Sequence, residues 1–222
     1  MRYKVNEIFR SLQGEGTRAG RPCVFVRLTG CPLRCTYCDT AYAFHEGRSQ
    51  DTEQILAAVA DLLAPLRRGP EAPFVELTGG EPLAHPGASE LLQALRGLGV
   101  PVALETAGSH DLAPVPPEVI KIVDRKTPGS GEGERWLESN LQHLVPGQDE
   151  LKFVLTGPED YVWAREWCGE RGIWDRLTVL FAPAWGTLDP AWLGERILAD
   201  GLPVRLQLQL HKILWGPLRS GV

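Results

Sequence analysis

Three cysteines lie within eight residues of the stretch GCPLRCTYCDT, at Cys31, Cys35 and Cys38. Thiolates on one loop at this spacing can bind Zn²⁺ or an iron–sulfur cluster, because both prefer soft sulfur ligands. A structural zinc site needs a fourth ligand, which would have to be His45, His85 or another distant group. A 4Fe–4S cluster held by three cysteines leaves one iron open to a substrate or cofactor. The spacing therefore indicates metal or redox chemistry and leaves zinc and iron–sulfur as alternatives.

The composition restricts the kind of protein that carries these cysteines. The chain has 222 residues, of which 43% are apolar and 23% charged, as is typical of a soluble protein with one substantial domain. The total of five cysteines is odd, and the beginning of the chain lacks an apolar signal segment, so we expect reduced thiols and a cytoplasmic location. A net charge of −5 argues against direct binding of nucleic acid, and no apolar run predicts a membrane span. A small molecule is the expected substrate.

The sequence alternates short β-rich runs with helical patterns. Strands are predicted over residues 23–29, 74–78, 102–106, 119–124, 151–156, 177–183 and 203–210. Helices are predicted after Asp51 as N-cap, over residues 91–98, 136–144, 158–170 and 190–199. This alternation predicts an α/β fold with mostly parallel strands and right-handed crossovers. Because there are fewer units than the eight of a closed barrel, we expect an open, partial (β/α)6-type barrel.

Glycines, carboxylates and cysteines follow several of the predicted strands. The strand ends have the sequences TGCPLRC, TGGEP, ETAGS, DRKTPGSG and FAPAWG. Ligands of parallel α/β folds bind at the carboxyl ends of the strands, so we expect these segments to converge on one rim. The glycine-rich stretch 127–134 is predicted to be an active-site loop.

The segment CPLRCTYC, with Tyr37 as its aromatic residue, resembles the cysteine signature of the radical S-adenosylmethionine (SAM) superfamily. GGEP at residues 79–82 is similar to the second motif of that superfamily. The resemblance implies that SAM chelates the open iron and is cleaved reductively to a 5′-deoxyadenosyl radical. Such a cluster needs a low potential, which implies a flavodoxin- or ferredoxin-type electron donor.

Residues 7–40 resemble the 7-carboxy-7-deazaguanine synthase family almost without gaps, and LTGGEPL, ETAGS, DRKTPGSGE and LQLQLHK extend the match along the chain. The resemblance implies a Mg²⁺-dependent lyase that converts 6-carboxy-5,6,7,8-tetrahydropterin to 7-carboxy-7-deazaguanine with loss of ammonia, in queuosine-type biosynthesis. It also implies one radical SAM domain over residues 1–222, with a substrate-binding segment at 1–22 and a strand and tail at 203–222. The family favours homodimers.

The resemblance assigns roles to individual residues. Cys31, Cys35 and Cys38 would bind the cluster, and Thr40 would bind Mg²⁺, an ion that prefers oxygen ligands; a simple loop cap is the alternative for Thr40. The substrate-binding residues would be Leu12, Gln13, Gly14, Glu15, Arg27 and Thr78, with Gln13 and Glu15 reading the pterin edge and Arg27 clamping its carboxylate. The SAM-binding residues would be Tyr37, Asp39, Gly80, Glu81, Glu105, Asp124, Lys126, Ser130, Phe181, Ala182, Pro183 and Ala184.

Two other functions compete with this interpretation. A radical SAM activase, which makes a glycyl radical on a partner protein, has the same cysteine spacing but leaves SLQGEG and Thr40 unexplained. A non-catalytic zinc-binding module is the second alternative. The tail 213–222 is longer than in some family members, which puts a role for the terminal carboxylate in doubt. His211 and Lys212 could reach the site or belong to the surface.

Overall fold

The computed structural model of the chain describes residues 1–67, 72–217 and 221. In these ranges nine strands form one sheet: β1 (Arg2–Leu12), β2 (Pro22–Leu28), β3 (Arg48–Asp51), β4 (Phe74–Gly79), β5 (Val102–Thr106), β6 (Ile120–Asp124), β7 (Glu150–Leu155), β8 (Thr178–Pro183) and β9 (Arg205–Leu206). The same ranges contain five α-helices: α1 (Thr52–Leu63), α2 (Ala88–Arg96), α3 (Pro158–Glu170), α4 (Pro190–Asp200) and α5 (Leu210–Trp215).

The strands are arranged in the order β3-β1-β2-β4-β5-β6-β7-β8-β9. β1 pairs antiparallel with both β2 and β3, whereas every pair from β2 to β9 is parallel. Since β3 and β9 are free edges, the sheet does not close. The predicted open, partial barrel is therefore confirmed.

Apolar side chains alternate between the two faces of the sheet, as the pleat requires. On β4, Val75 and Leu77 face the helices and belong to the main core, which includes Ile55 and Val59 of α1. Phe74, the neighbour of Val75, points to the other face and packs in a second cluster with Cys23, Phe25, Ala103, Ile120 and Ile122. This second cluster fills the barrel interior below the carboxyl ends of the strands.

Helix α1 begins where the sequence predicts. Asp51 accepts a hydrogen bond of 2.9 Å from the Gln54 backbone, and the Gln54 side chain accepts one of 2.9 Å from the Asp51 backbone. These reciprocal bonds form a capping box, which satisfies two otherwise unpaired donors at the helix start. Of the helices described, none is long and apolar enough to cross a bilayer.

Three features of the fold differ from the predictions. β1 and β3 were not predicted, so the cysteine loop follows the second strand and GGEP the fourth. The α-helix predicted over 136–144 is wrong: only a 3₁₀ segment, Glu138–His143, forms there. Its buried Asn140 donates to the carbonyls of Gly108 (2.9 Å) and His110 (3.0 Å), which ties this segment to the loop after β5.

The strand predicted over 203–210 is also wrong for most of its length. Only Arg205–Leu206 pairs with β8, and α5 begins at Leu210. After Gln207 the chain turns toward the N-terminal loop, where the Leu210 backbone donates to the carbonyl of Gly14 at 3.0 Å. The C-terminal segment is thereby carried over the carboxyl ends of the strands.

Candidate active site

A cavity of about 1180 Å³ opens at the carboxyl ends of the parallel strands. Its wall combines the loops after β2, β4, β5 and β6 with the loop after β1 and with residues 209–212. The volume exceeds the roughly 300–1,000 Å³ of a pocket for one drug-sized ligand. The cavity is therefore large enough for two small molecules side by side.

Most of the predicted site residues line this cavity. They are Leu12, Gln13, Gly14, Glu15, Arg27, Cys31, Cys35, Tyr37, Cys38, Asp39, Thr40, Thr78, Gly80, Glu105, Asp124, Lys126 and Ala184. Five others lie outside the wall: Glu81, Ser130, Phe181, Ala182 and Pro183. The fold therefore brings most of the predicted residues to one cavity and places these five in the layer behind its wall.

Glu81 lies behind the wall because its carboxylate bonds to the loop after β5. It accepts hydrogen bonds from the Thr106 hydroxyl (2.8 Å) and from the backbones of Ala107 (2.7 Å) and Leu83 (3.0 Å). The side chain is only 2% exposed. Glu81 thus fixes the GGEP turn to the loop after β5, and the backbone of Gly80, not the Glu81 side chain, faces the cavity.

The cysteine loop approaches the GGEP turn closely. A Cβ on Gly80 would lie 2.5 Å from Cβ of Cys31, so glycine alone fits at this position. Cys31 and Cys35 are half-buried, Cys38 is exposed, and all three thiols are free. Burial raises the pKa of Cys35 to about 11, although nearby Lys126 opposes that shift. Metal binding to these thiols must therefore release protons.

Lys152 lines the cavity and is the centre of a charge network in its wall. Its ammonium group bonds to Glu15 at 2.6 Å, bonds to Glu105, and lies 3.6 Å from Asp124. Lys152 is 3% exposed, so three carboxylates share one buried cation. Burial would lower the pKa of Lys152, but its attraction to Glu105 and Glu15 outweighs this effect and raises the pKa well above its ordinary value. Lys152 therefore stays charged at neutral pH.

Gln13 and Glu76 form a second polar group, on the barrel side of the N-terminal loop. The Gln13 amide donates to one carboxyl oxygen of Glu76 and accepts from the Glu15 backbone at 3.1 Å. The other oxygen of Glu76 is buried without a partner among the described residues. Burial and the neighbouring Glu105 raise the pKa of Glu76 well above its ordinary value. When it is protonated, the Glu76 carboxyl supplies a hydrogen-bond donor beside Gln13.

Arg27 lies at the end of β2 with part of its guanidinium available. Its Nε donates to Glu7 at 2.8 Å, and the Tyr42 hydroxyl donates to the same carboxylate oxygen at 2.8 Å. Within the described ranges, Glu7 is the one hydrogen-bond partner of Arg27. The two terminal nitrogens can therefore bind a carboxylate in the bidentate manner that suits a guanidinium.

The C-terminal segment connects the N-terminal loop to the residues after Cys38. Gln207 and Gln209 donate to the Glu15 carboxylate at 3.0 and 2.8 Å. Lys212 forms an ion pair of 2.6 Å with Asp39, which also accepts a 2.9 Å hydrogen bond from the Thr40 hydroxyl. Burial would raise the pKa of Asp39, but Lys212 outweighs it and lowers the pKa to about 2.

Comparison with known proteins identifies this architecture. Residues 25–182 match the model of the radical SAM superfamily. A 7-carboxy-7-deazaguanine synthase of Koribacter versatilis is 43% identical over 99% of this chain and 100% of its own length. One from Chlorobaculum tepidum is 41% identical over 98% of this chain and 96% of its own. The chain belongs to the 7-carboxy-7-deazaguanine synthase family of radical SAM enzymes.

Solved structures agree with this membership. The crystal structure of QueE from Escherichia coli superposes with a TM-score of 0.74 and 26% identity, and 95% of each chain is covered. SuiB of Streptococcus suis bound to S-adenosylmethionine matches with a TM-score of 0.54 and 14% identity over 81% of this chain and 48% of its own, a likeness of fold alone. Membership of this family removes the zinc module and the glycyl-radical activase as alternatives.

The residues present fit the cofactors of a radical SAM enzyme. The Tyr37 hydroxyl and one Asp124 oxygen are buried without a hydrogen-bond partner in the described part of the chain and belong to residues of the cavity wall, so they are available to a polar ligand. The ammonium group of Lys126 lies 2.8 Å from Asp124 and 5.3 Å from the Tyr37 ring centre. Lys126 and Asp124 are close enough to Cys35 to affect its pKa, so these groups could contact a ligand bound to a cluster at that cysteine.

His45 and His85, the candidates for a fourth zinc ligand, lie outside the cavity wall. The His85 ring accepts a 3.1 Å hydrogen bond from the Gly87 backbone and packs 4.7 Å from the Tyr3 ring, and neither His45 nor His85 lines the cavity. Among the described residues, no three His, Cys, Asp or Glu side chains converge on a single-ion site. A cluster binds each thiolate at a different iron, so its ligands do not share one point.

Sequence reasoning missed several residues of the site. Glu76 and Lys152 lie within β4 and β7, where FVELT and LKFVLT predict only buried strands. A charged residue inside such an apolar run was the available signal, since full burial of a charge requires a partner. Gln207 and Gln209 were missed because the last strand was predicted too long.

Proposed function

We propose that this chain converts 6-carboxy-5,6,7,8-tetrahydropterin to 7-carboxy-7-deazaguanine with loss of ammonia, in queuosine-type biosynthesis. The observation that carries the proposal is the single cavity whose wall holds three free thiols together with the polar loop after β1. A cofactor site and a substrate site in one cavity are what a radical reaction needs, because the reacting atoms must be close to each other.

Cys31, Cys35 and Cys38 hold the 4Fe–4S cluster in this proposal. When bound, the cluster and SAM supply a 5′-deoxyadenosyl radical that abstracts a substrate hydrogen. Tyr37 and Asp124 offer their unpaired polar atoms to SAM, and Lys126 keeps the Asp124 carboxylate in place through its 2.8 Å bond.

The N-terminal loop and Arg27 hold the pterin. The side chains of Gln13 and Glu15 are bonded to Glu76 and Lys152, and these partners hold the two side chains at the cavity wall, where they read the edge of the pterin. Gly14 allows the loop to lie close to His211, since a Cβ at this position would collide with the His211 ring. Arg27 clamps the substrate carboxylate with its terminal nitrogens, and Thr78, paired with Arg27 on the adjacent strand, contacts the ring.

Thr40 binds Mg²⁺ beside the substrate. Its hydroxyl now donates to Asp39, and a Mg²⁺ ion would take the lone pairs of that oxygen. When bound, the ion would supply an electrostatic contact for the substrate carboxylate and for negative charge that develops in the reaction. The chain's own contribution is to fix Asp39 through Lys212, which keeps Thr40 directed into the cavity.

A homodimer and a small redox partner complete the proposal. Leu206, Leu208, Ile213 and Leu214 are 41–55% exposed beside the free edge strand β9, and an apolar patch of this kind suits a second copy of the chain. A flavodoxin- or ferredoxin-type protein delivers the electron. Free thiols in a redox-active loop suit a cytoplasmic location, where they stay reduced.

The decisive experiment is an anaerobic incubation of reconstituted protein with reductant, SAM, Mg²⁺ and the carboxylated tetrahydropterin. We expect the deazapurine and 5′-deoxyadenosine to appear together by mass spectrometry. A matched protein with Cys35→Ala should form neither. Deoxyadenosine without deazapurine in the wild-type reaction would show that the substrate is wrong.

A further inference from the structure

Arg125, which follows β6 and precedes Lys126, lies inside a cage of three tryptophans. Its guanidinium carbon is 5.4 Å from the Trp136 ring centre, 4.7 Å from Trp163 and 5.4 Å from Trp167. The residue is 6% exposed, and burial lowers its pKa to about 10, so it remains charged at neutral pH. Cation–π contacts with three rings compensate a buried cation that has no carboxylate partner among the described residues.

The caged guanidinium donates its hydrogen bonds to one loop. Its Nη1 donates to the Lys126 carbonyl at 2.5 Å and to the Gly133 carbonyl at 2.7 Å. These two carbonyls lie at the two ends of the segment 126–133, so the Arg125 side chain links the two ends of that segment. Asp160 of α3 binds the middle, accepting from the Gly129 backbone and the Thr127 hydroxyl at 2.9 Å each.

The same segment, 126–133, holds the cysteine loop by hydrogen bonds. The Thr36 backbone donates to the Ser130 carbonyl at 3.0 Å, and its hydroxyl donates to the Gly129 carbonyl at 3.0 Å. The Arg34 backbone donates to the Glu132 carboxylate at 2.6 Å. Thr36 lies between Cys35 and Cys38, so these bonds fix the part of the loop that would hold the cluster.

We propose that Arg125 is a positioning residue for the three cysteines: the tryptophan cage fixes Arg125, Arg125 fixes the segment 126–133, and that segment fixes the cysteine loop. The proposal rests on the proposed function for its role in catalysis, but the positioning itself concerns the metal-free chain. Ser130 acquires a role here that does not require contact with SAM, because its backbone carbonyl holds Thr36.

The test measures thiol alkylation in the metal-free protein, with peptide mass mapping to separate the cysteines. In Arg125→Leu we expect the half-buried Cys35 to react about tenfold faster, because the local opening that exposes it no longer has to break the two hydrogen bonds of Arg125. Cys38 is already exposed, so its rate should change little. Cys23 and Cys168, both 0% exposed, report global opening and should be protected as in the wild type. Equal acceleration at Cys168, or no acceleration at Cys35, would overturn the proposal.

Arg171→Leu is the matched control. Arg171 also stacks on Trp167, at 4.4 Å, but donates to Glu138 and has no bond to the segment 126–133. We expect wild-type alkylation rates at Cys35 and Cys38 in this variant. Acceleration as large as that in Arg125→Leu would mean that packing of the tryptophans alone protects Cys35. That result would contradict a role for the hydrogen bonds from Arg125 to the segment 126–133.

Thr36→Val tests the other end of the connection and keeps the proposal falsifiable if Arg125→Leu does not fold. It removes one hydroxyl bond from an exposed residue, and we expect Cys35 to react about threefold faster. A rate equal to that of the wild type would overturn the connection between the segment 126–133 and the cysteine loop.

In the loaded enzyme, Arg125→Leu and Thr36→Val should both form more 5′-deoxyadenosine per product, because a misplaced cysteine loop separates SAM cleavage from hydrogen abstraction. Failure of the proposed function would abolish product in the wild type but leave the alkylation result unchanged.

Discussion

The ammonium group of Lys152 lies 2.6 Å from a carboxylate oxygen of Glu15, although 137 residues separate the two in the sequence. The same nitrogen bonds to Glu105 of β5. One buried cation therefore attaches the N-terminal loop to the strands that form the cavity floor. The stability of the fold and the geometry of the proposed substrate site depend on the same bond.

Lys152→Met should lower the free energy of unfolding by about 3–5 kcal/mol, because removing one member of a buried ion pair leaves uncompensated charge. We also expect kcat/KM to fall by about tenfold or more, since the released loop no longer positions the substrate. Denaturant unfolding and steady-state kinetics at neutral pH measure the two effects.

Lys121→Met is the control for this substitution. Lys121 pairs with Asp149 at 2.8 Å, and both side chains are at most 1% exposed, but neither lines the cavity. It should destabilise the protein comparably and leave the kcat/KM of the folded enzyme unchanged. Equal kcat/KM values in the two variants would contradict a positioning role for Lys152.

Acid should destabilise the protein through Glu15. Burial alone would raise its pKa, but Lys152 outweighs burial and lowers the pKa from 4.5 to about 2. Because the folded pKa lies below the unfolded one, Glu15 stabilises the fold above about pH 4.5 and loses this contribution as the pH falls toward about 2. Urea unfolding across this range should show a shallower pH dependence for Glu15→Gln. A slope equal to that of the wild type would show that Glu15 is not the group involved.

Thr40→Ala should raise the Mg²⁺ concentration for half-maximal activity by about tenfold or more, as loss of a metal contact commonly does. Thr40→Ser keeps the hydroxyl and should behave like the wild type. The visible absorbance of the cluster should be the same in all three proteins. Unchanged Mg²⁺ dependence in Thr40→Ala would remove this residue from the metal site.

Gly80→Ala should prevent normal cluster assembly. The added Cβ would lie 2.5 Å from Cβ of Cys31, so the cysteine loop must move. Iron and sulfide per chain after reconstitution measure the effect. Gly169→Ala, in α3, is the control: its Cβ would meet only Trp174 at 3.6 Å, and it should retain full iron and be more stable by about 0.5–1 kcal/mol. Full iron content in Gly80→Ala would contradict the close approach of the two loops.

The sequence was sufficient for those parts of the fold that have a local signal. Asp51 and Gln54 form the capping box expected at a helix start, and the alternation of strand and helix predicts the parallel sheet. β1 was not predicted because it pairs antiparallel with β2 and β3 and so lies outside the alternation of strand and helix that predicts the parallel strands. The strand at 203–210 failed because the contacts that divert the chain, from Leu210 to Gly14, are 196 residues apart in sequence.

The candidate site was predictable to a similar extent. The cysteines and GGEP follow their strands closely, so adjacent strand ends bring them together without further information. Glu76, Lys152 and Arg125 act through partners in distant loops and helices, and no spacing in the sequence specifies these partners. Burial of a charge within an apolar run indicates that a partner exists, but only the fold shows which one.

If three thiolates leave one iron free for SAM, the amino nitrogen of SAM binds that iron, and electron–nuclear double resonance can detect the bond. Reduced, reconstituted protein would be frozen with SAM that carries ¹⁵N in its amino group. We expect a hyperfine coupling between that nitrogen and the cluster, and we expect it to be lost in Cys35→Ala. A fully loaded cluster without this coupling would mean that no iron is open to SAM.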